Sequence, residues 1–510
     1  MADEVELKLA LPAAAQRAFL RQPLLKQAAS RKTERLINLY YDTPDQELRR
    51  RGIALRLRRQ GRRWLQTVKC AGRSAAGLTS RPEWETPYSG RFDFSAVDAE
   101  DVRDWLDRDR MRRRISPLFE TNFLRTTWRF QPSPGVELHL AFDRGWIAAA
   151  GRREAISELE IEIARGEPRH VFALARALAE RVSLAPALLS KAERGYRLFL
   201  GEPQAPVHAA EVPLLTSMAP LDGFRLIALS CLEHLQHNHA GAVDTDDPEY
   251  IHQMRVATRR LRAALRLFAP QLPGGFADEL LPPLRKQMRL LGAARDMDVL
   301  LGEIAAPVMA ALAAEPRLAA LVGLVTERRF RHRSAAKDQL RSAAFGQFVL
   351  LAGERLHALS LNQQAGDGGL AAFADHRLRR LCKKVRRLAA AAEVGEPTSL
   401  HALRIGVKRL RYALEFFAPL ARHKRHRARV ADLAELQDTL GQINDLANAG
   451  RLLDDCAGED PRLREAVTLI GGWHASRYAA LLDAVPHALR DLRKLRPPKL
   501  LSSHRKEETL

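Results

Sequence analysis

The sequence predicts an α+β protein of several domains, with an antiparallel β-barrel over about residues 1–200 and an all-α domain over about residues 221–500. Strand-like alternation of polar and apolar residues recurs through the first part, whereas long Leu-, Ala- and Arg-rich helical patterns fill the second. A proline-rich stretch, residues 201–220, separates them as a linker. At 510 residues, the chain is long enough for each part to bury a core of its own.

The first part contains eight predicted strands, near residues 4–11, 34–43, 52–60, 62–71, 79–87, 118–130, 135–143 and 154–164. Helical patterns interrupt them at about 12–28, 93–107 and 168–183. One face of this meander is too polar for the core of a β-sandwich. The pattern therefore favours a closed barrel with a charged lumen.

The overall charge limits the classes of partner. A formal charge of +21 and a pI near 10.4 predict a polyanion: nucleic acid, an anionic membrane or polyphosphate. The cysteines Cys70, Cys231, Cys382 and Cys456 form no CxxC pair, which disfavours a zinc ribbon and fits a reducing cytosol. The acidic start without an apolar stretch predicts no signal peptide, and no apolar run is long enough to span a bilayer. We therefore expect a cytoplasmic protein that does not enter a membrane.

The first predicted strand places Glu4, Glu6 and Lys8 on one face, because side chains alternate along a strand. A single row of this kind is most often a solvent-facing surface. Later segments repeat it, however, with Arg56 and Arg58, Thr67 and Lys69, Glu83 and Glu85, Arg125, Asp143 at a strand end, Glu158, Glu160 and Glu162, and Lys191 in a closing loop or turn. Burying so many charges is costly unless ligands occupy the lumen. We expect the acids to hold metal ions and the bases to hold a highly charged anion.

These motifs resemble the CYTH, or triphosphate tunnel metalloenzyme, family across residues 1–200. The matching segments are Glu4-x-Glu6-x-Lys8, Tyr41-Asp42-Thr43, Leu55-Arg56-Leu57-Arg58, Lys69, Arg125, Asp143-x-Gly145, Glu158-x-Glu160-x-Glu162 and Ser190-Lys191. The resemblance implies an eight-stranded tunnel that hydrolyses a triphosphate with Mg²⁺ or Mn²⁺. It implies that the substrate is bound by Lys8, Arg56, Arg58, Lys69, Arg125 and Lys191. It also implies metal ligands at Glu4, Glu6, Asp143, Glu160 and Glu162, and a catalytic set of Glu4, Glu6, Lys8 and Glu158.

The second part contains an internal duplication with an offset of 149 residues. His252-x-x-Arg255-x-x-x-Arg259-Arg260-Leu261-Arg262 recurs as His401-x-x-Arg404-x-x-x-Lys408-Arg409-Leu410-Arg411. On a helix, His252, Arg255, Arg259, Arg262 and Arg266 fall within an arc of roughly 80°. A basic stripe is often only a solvated face. This one has no acid four residues away to relieve its repulsion, and it is duplicated, which favours an anion-binding surface.

These residues resemble the CHAD family over about residues 221–500. The resemblance implies two four-helix bundles, about 221–370 and 371–500, related by a pseudo-twofold axis. It further implies that inorganic polyphosphate binds to His252, Arg255, Arg259, Arg262, Arg266, His401, Arg404, Lys408 and Arg411. Lys408 replaces an arginine of the first copy and loses its bidentate fork, so the second site is expected to bind less tightly.

Alternatives to a tunnel triphosphatase with a polyphosphate-binding module remain open. A class IV-like adenylate cyclase shares the tunnel, but only three residues precede Glu4, where those enzymes carry aromatic and histidine residues. A non-catalytic scaffold on polyphosphate granules is a second alternative, and granules are the expected location of the protein. Nucleic acid is disfavoured, because only 6% of residues are aromatic and no stacking platform accompanies the basic faces. The charged residues 501–510 are expected to form a disordered tail.

Overall fold

A computed structural model describes residues 4–75, 77–359, 369–394, 396–421 and 423–501 of the chain; of Glu4, residues 73–75, Pro397 and residues 423–426 it describes the backbone alone. The predicted tail after residue 501 lies outside these residues. Contacts divide the chain into two compact units. The barrel unit comprises Met1–Pro206 with Arg341–Ala358, and the helical unit comprises Val207–Leu340 with Leu359–Leu510.

The barrel unit is built from one antiparallel sheet and short helices. Its strands are β1 (Glu4–Ala10), β2 (Ser30–Asp42), β3 (Ile53–Gln60), β4 (Arg63–Cys70), β5 (Arg73–Ala75), β6 (Leu78–Arg81), β7 (Glu83–Pro87), β8 (Ser116–Phe130), β9 (Glu137–Ala149), β10 (Arg152–Arg165) and β11 (Ala185–Pro186). Its first helices are α1 (Gln16–Leu20), α2 (Glu47–Arg50), α3 (Glu100–Leu106), α4 (Asp109–Arg114), α5 (Pro168–Ala179) and α6 (Lys191–Leu200).

The order of the strands confirms the predicted barrel. Pairing runs β1-β10-β9-β8-β2-β3-β4-β7, and β6 pairs with β1. Pro82 alone separates β6 from β7, so the segment paired with β1 continues directly into the segment paired with β4. The eight strand positions therefore form a ring, in which β6 and β7 together make the eighth.

Alternation along β1 separates an apolar outer face from a charged inner face. Leu7 and Leu9 pack in a core with Val171 and Phe172 of α5, whereas Glu6 and Lys8, which alternate with them, point to the other side. A second apolar cluster lies on the inner face of β2, β8, β9 and β10, and includes Tyr40, Phe119, Phe123, Ile147, Ile156 and, from α6, Tyr196. The lumen thus has an apolar floor at the end covered by α6, and its charged part lies further along the strands.

Four local predictions differ from the structure. The predicted helix over 12–28 is divided at Pro23: a 3₁₀ turn and the short α1 precede this residue, and a second 3₁₀ turn begins with it. The predicted helix over 93–107 is reduced to α3 and adjoining turns. Asp143, predicted at a strand end, lies in the middle of β9. Lys191, predicted in a loop or turn, is the first residue of α6, with Ser190 as its N-cap.

The remaining helices follow in chain order. They are α7 (Pro220–His237), α8 (His239–Asp244), α9 (Pro248–Leu267), α10 (Phe276–Val299), α11 (Ala306–Ala311), α12 (Pro316–Arg341), α13 (Ala343–His357), α14 (Gly369–Ala391), α15 (Pro397–Phe416), α16 (His423–Ala457) and α17 (Pro461–Arg493). All but α13 build the helical unit, and α13 belongs to the barrel unit. Across the described residues, we find no helix with the length and apolar character that a bilayer crossing requires.

The duplication predicted from the sequence is visible in the helical unit. Helices α9 and α15 begin and end at positions 149 residues apart, and they contact each other. Phe268 and its equivalent Phe417 meet with ring centroids 5.8 Å apart. Contact between equivalent residues is expected where a pseudo-twofold axis passes between two copies.

Candidate functional site

Three carboxylates meet on the inner face of the barrel, on neighbouring strands. Asp143 of β9 and Glu158 and Glu160 of β10 have oxygen atoms within 4.8 Å of one another, and no other group of three potential ligands comes together in this way among the described residues. The register of the sheet explains the cluster, because Glu158 is the direct partner of Asp143. Asp143 is completely buried. We call these three residues the carboxylate cluster.

Two cations bridge the members of the carboxylate cluster. Lys191 Nζ lies 2.7 Å from Asp143 Oδ2 and 2.9 Å from Glu160 Oε1, and it also donates to Glu158. Arg125 donates from Nε to Asp143 Oδ1 at 2.8 Å and from Nη2 to Oδ2 at 2.7 Å, and it also bonds Glu160. Burial favours the neutral form of Glu160, but Lys191, Arg125 and Lys8 outweigh it and hold the pKa of Glu160 well below its usual value.

The charged row of β1 lies beside this cluster. Glu6 Oε1 accepts hydrogen bonds from Lys8 Nζ at 2.7 Å and from Arg81 Nη2 at 2.8 Å. The register places Lys8 opposite Glu160, and Glu6 opposite Glu162, which is exposed. Glu6 and Glu162 are thus near the carboxylate cluster but outside it. Glu4 begins the same strand, and its side chain lies outside the described residues.

A second wall of the lumen is dominated by arginines. Arg56 Nη2 lies 3.3 Å from Glu83 Oε1, and Lys69 Nζ lies 2.5 Å from Glu83 Oε2. Arg58 donates from Nε to Asn38 Oδ1 at 2.9 Å, and its nearest carboxylate oxygen is 3.7 Å away. Burial, with the charges of Arg56 and Arg125 nearby, lowers the pKa of Arg58 to about 10. This wall therefore holds more positive charge than its own acids balance.

Two further arginines lie in the lumen, and neither was predicted from the sequence to belong to the site. Arg81 bonds Glu6, and Arg194 donates to Glu158 Oε2 at 2.9 Å. Arg81 lies on the same side of its strand segment as Glu83 and Glu85, which the period of two could have shown. Arg194 follows Lys191 by three residues and so shares its helix face.

The remaining motif residues position the site. Asp42 accepts hydrogen bonds from the backbone N–H groups of Leu48 and Arg49, both at 2.9 Å, and from the hydroxyl of Tyr196 at 2.7 Å. It therefore joins α2 to α6, which carries Lys191. A Cβ on Gly145 would lie 2.1 Å from the carbonyl oxygen of Asn122, so only glycine lets β9 and β8 approach beside Asp143.

The carboxylate cluster fits a hard divalent cation. Its donors are all oxygen atoms, the ligands that Mg²⁺ and Mn²⁺ prefer. Its three oxygen atoms already converge on one positive charge, the ammonium of Lys191. A divalent ion bound by the same three carboxylates would supply this positive charge in place of the ammonium.

The helical unit contains a second concentration of charge, between α9 and α15. Two cavities, about 140 Å³ and 430 Å³, share Arg259 and Arg404 as lining residues, and we call them together the basic groove. Eight residues predicted to bind polyphosphate line it: His252, Arg255, Arg259, Arg262, Arg266, His401, Arg404 and Lys408. The groove therefore joins the basic stripes of both copies.

The cations of the basic groove are poorly neutralised. Arg255 Nη2 lies 3.5 Å from Asp296 Oδ1, but the buried Nε atoms of Arg259 and Arg404 have no hydrogen-bond partner. Burial, with the charges of Arg259 and Arg404, lowers the pKa of Lys408 to about 7. Burial, with the charge of Arg295, lowers the pKa of His252 to about 4. An anion in the groove would relieve this repulsion and satisfy the open donors.

Some basic residues lie elsewhere than the sequence suggested. Arg411 is held by Glu415 at 2.6 Å and by Gln437 at 2.9 Å, and it does not line the two cavities. Arg295, Arg377 and Arg409 line them, although none was assigned to the anion site from the sequence. Arg377 comes from α14, in a part of the chain that the repeated motif does not include, so only the packing of α14 beside α15 reveals it.

Comparisons with known proteins also divide the chain into two domains. Residues 2–196 match the CYTH domain, and residues 226–454 match the CHAD domain. An inorganic triphosphatase of Haemophilus influenzae is 32% identical over 164 residues, which are 32% of this chain and 45% of that protein, so the chain spans less than half of this relative's length. A crystal structure of the CHAD domain from the plant Ricinus communis has 35% sequence identity, covers 59% of this chain and 100% of its own, and superposes with a TM-score of 0.50. The chain therefore contains a CYTH domain over residues 2–196, followed by a CHAD domain over residues 226–454.

Proposed function

We propose that the barrel hydrolyses inorganic triphosphate with Mg²⁺ or Mn²⁺, and that the basic groove binds inorganic polyphosphate. The proposal for the barrel rests on one observation: two surfaces of opposite charge line the same lumen. The carboxylate cluster offers oxygen ligands for a metal, and the wall around Arg58 offers positive charge that its own acids do not balance. The inorganic triphosphatase among the relatives supports the choice of substrate.

The residues of the lumen divide the work of phosphoryl transfer, which depends mostly on positioning and charge stabilisation. We assign Lys8, Arg56, Arg58, Lys69, Arg125 and Lys191 to the phosphate oxygens. Asp143, Glu158 and Glu160 would hold the metal. The sequence motif adds Glu4, Glu6 and Glu162 as further candidate ligands. When bound, the metal neutralises phosphate charge and lowers the pKa of a bound water. Glu6 keeps Lys8 and Arg81 in place, and Glu158 keeps Lys191 and Arg194 in place.

Phosphate release from tripolyphosphate, ATP and long-chain polyphosphate tests the proposal, with Mg²⁺ or Mn²⁺ added singly and with EDTA as the metal-free control. We expect tripolyphosphate to be cleaved fastest and EDTA to abolish release. Cyclic AMP formed from ATP would favour the adenylate cyclase alternative. A protein without turnover on any of the three substrates would favour a non-catalytic scaffold.

The poorly neutralised cations of the basic groove support the second part of the proposal. A linear chain of phosphates satisfies such donors without needing stacking side chains. Its test is the affinity of the full-length protein for labelled long-chain polyphosphate. Charge reversal at Arg255 and Arg259 together should weaken binding by about 10²-fold or more, because several phosphate contacts become repulsive. The matched control is Arg379→Glu, because Arg379 is exposed and pairs with Asp375 four residues away.

Competition distinguishes specific polyphosphate binding from general attraction to anions. Duplex DNA, single-stranded RNA and heparin should displace the label less well, per unit charge, than unlabelled polyphosphate at about 150 mM salt. Equal competition by nucleic acid would contradict the polyphosphate assignment. Attachment to polyphosphate granules follows from the same binding, and we expect the charge-reversed protein to lose it.

A further inference from the structure

Helix α13 belongs to the core of the barrel, although it follows the CYTH domain by well over one hundred residues and lies within the segment that matches the CHAD domain. Leu350 is fully buried in the same apolar cluster as Leu7 and Leu9 of β1. The ring of His357 stacks on Phe172 of α5 with centroids 5.5 Å apart, and Glu354 forms an ion pair with Arg176. The barrel is therefore completed by residues from the middle of the helical sequence.

The closest approach joins α13 to the segment just before β11. A Cβ built on Gly346 would lie 1.6 Å from the carbonyl oxygen of Leu184, so a side chain here would require the backbone to move. Ser183 Oγ donates to the carbonyl oxygen of Arg341 at 2.6 Å, and Gln347 Nε2 donates to that of Ala179 at 3.2 Å. These contacts fix the backbone of this segment against α13.

The same segment leads directly into the carboxylate cluster. Strand β11 pairs with the end of β1, where Pro186 lies opposite Leu9. The next residue, Ala187, donates its backbone N–H to the carbonyl oxygen of Lys8 at 2.9 Å. Ser190 then caps α6, and Lys191 enters the carboxylate cluster. Only six residues separate Leu184, beneath Gly346, from Lys191.

We propose that α13 is a positioning element of the barrel site, and that Gly346 acts through the segment 184–190 to set the place of Lys191. The inference rests on the proposed function of that site, since Lys191 is assigned there to phosphate. Buried backbone is packed too densely to absorb a methyl group at 1.6 Å, so the strain must move the segment. A displacement of about 1 Å at a group that holds the substrate can cost up to about 10²-fold in rate.

A double-mutant cycle in the full-length protein tests the inference, with Gly346→Ala, Lys191→Met and both together. Calorimetry gives the dissociation constant for tripolyphosphate, phosphate release gives kcat/KM, and both are measured below the melting temperature of each variant. We expect Gly346→Ala alone to raise the dissociation constant and to lower kcat/KM, each by about tenfold or more, because Lys191 is displaced from its best position. In the Lys191→Met background the same change should have an effect below about twofold, because residues that act as one unit are not additive.

The control is Gly323→Ala on α12, where a Cβ meets nothing within 4 Å, and it should change neither quantity. Equal losses from Gly346→Ala in both backgrounds would show a general loss of stability, and would overturn the inference. So would wild-type affinity and rate in the single variant. If Gly346→Ala does not fold, Ser183→Ala, which removes only the bond to Arg341, takes its place in the cycle. A wild-type protein that binds tripolyphosphate without cleaving it contradicts the proposed hydrolysis, yet the cycle on affinity still decides the role of α13.

Discussion

The ammonium of Lys191 lies 2.7 Å from the buried carboxylate of Asp143 and also bonds Glu158 and Glu160. One cation of the protein thus occupies the point where three potential metal ligands converge. A metal ion and Lys191 cannot both hold this position, because like charges at such a distance repel strongly. If the three carboxylates held a metal ion, Lys191 would be free to bind the phosphate of the substrate.

The first prediction concerns this competition. Lys191→Met should strengthen Mn²⁺ binding in the absence of phosphate by about tenfold or more, because a buried competing charge is removed. Electron paramagnetic resonance of free Mn²⁺ measures the affinity directly. Lys69→Met is the matched control, since Lys69 bonds Glu83 and not the carboxylate cluster, and it should leave the Mn²⁺ affinity unchanged. Unchanged or weaker Mn²⁺ binding by Lys191→Met would rule out the competition.

The second prediction concerns the arginine wall. Arg58→Met should weaken tripolyphosphate binding yet leave the melting temperature of the free protein equal or higher, because Arg58 is partly buried beside the like charges of Arg56 and Arg125. Arg56 is less suitable for this test, since its removal would leave Glu83 and Glu85 with fewer partners. Arg59→Met, on the outer face of the same strand, is the control. A marked fall in the melting temperature of Arg58→Met would instead make Arg58 a structural residue.

The third prediction is a pH dependence of the basic groove. The pKa of Lys408 is lowered to about 7 by burial and by surrounding arginines, chiefly Arg259 and Arg404. A bound polyanion favours the protonated amine and raises this pKa, so binding takes up a proton above about pH 7. Polyphosphate affinity should therefore be nearly constant below about pH 7 and fall as the pH rises above it.

Fluorescence anisotropy with labelled polyphosphate between about pH 6 and 9 measures this effect. Lys408→Arg provides the control, because arginine stays charged throughout the range and should remove the part of the slope that Lys408 contributes. The same slope in both proteins would assign the pH dependence to another group.

The fourth prediction concerns Glu6, which holds Lys8 and Arg81 together. Glu6→Gln keeps the shape of the side chain but removes its charge, and it should lower kcat for tripolyphosphate by about 10²-fold. Initial rates at saturating Mg²⁺ measure the loss. Nearly full turnover would place this residue outside the catalytic machinery.

Patterns local in sequence predicted most of the fold. Alternation identified the strands of the barrel, and the offset of 149 residues identified the two copies that meet at Phe268 and Phe417. The membership of the carboxylate cluster was harder to predict, because it depends on the register that places Glu158 opposite Asp143. Helix α13 could not be assigned to the barrel from its sequence, since its apolar face resembles that of any bundle helix. Arg377 reaches the basic groove only through helix packing, for the same reason.

The central claim is that the carboxylate cluster supports metal-dependent hydrolysis of tripolyphosphate. Its most direct test compares the initial rates of phosphate release by the wild type, Glu160→Gln and Glu120→Gln, each with Mg²⁺ and with EDTA. Glu120 lies on the outer face of β8 and controls for the loss of one carboxylate from the barrel. We predict metal-dependent release by the wild type and by Glu120→Gln. The rate of Glu160→Gln should be lower than that of the wild type by about 10²-fold or more. A Glu160→Gln rate close to that of the wild type would contradict the claim. So would phosphate release by the wild type that continues in EDTA.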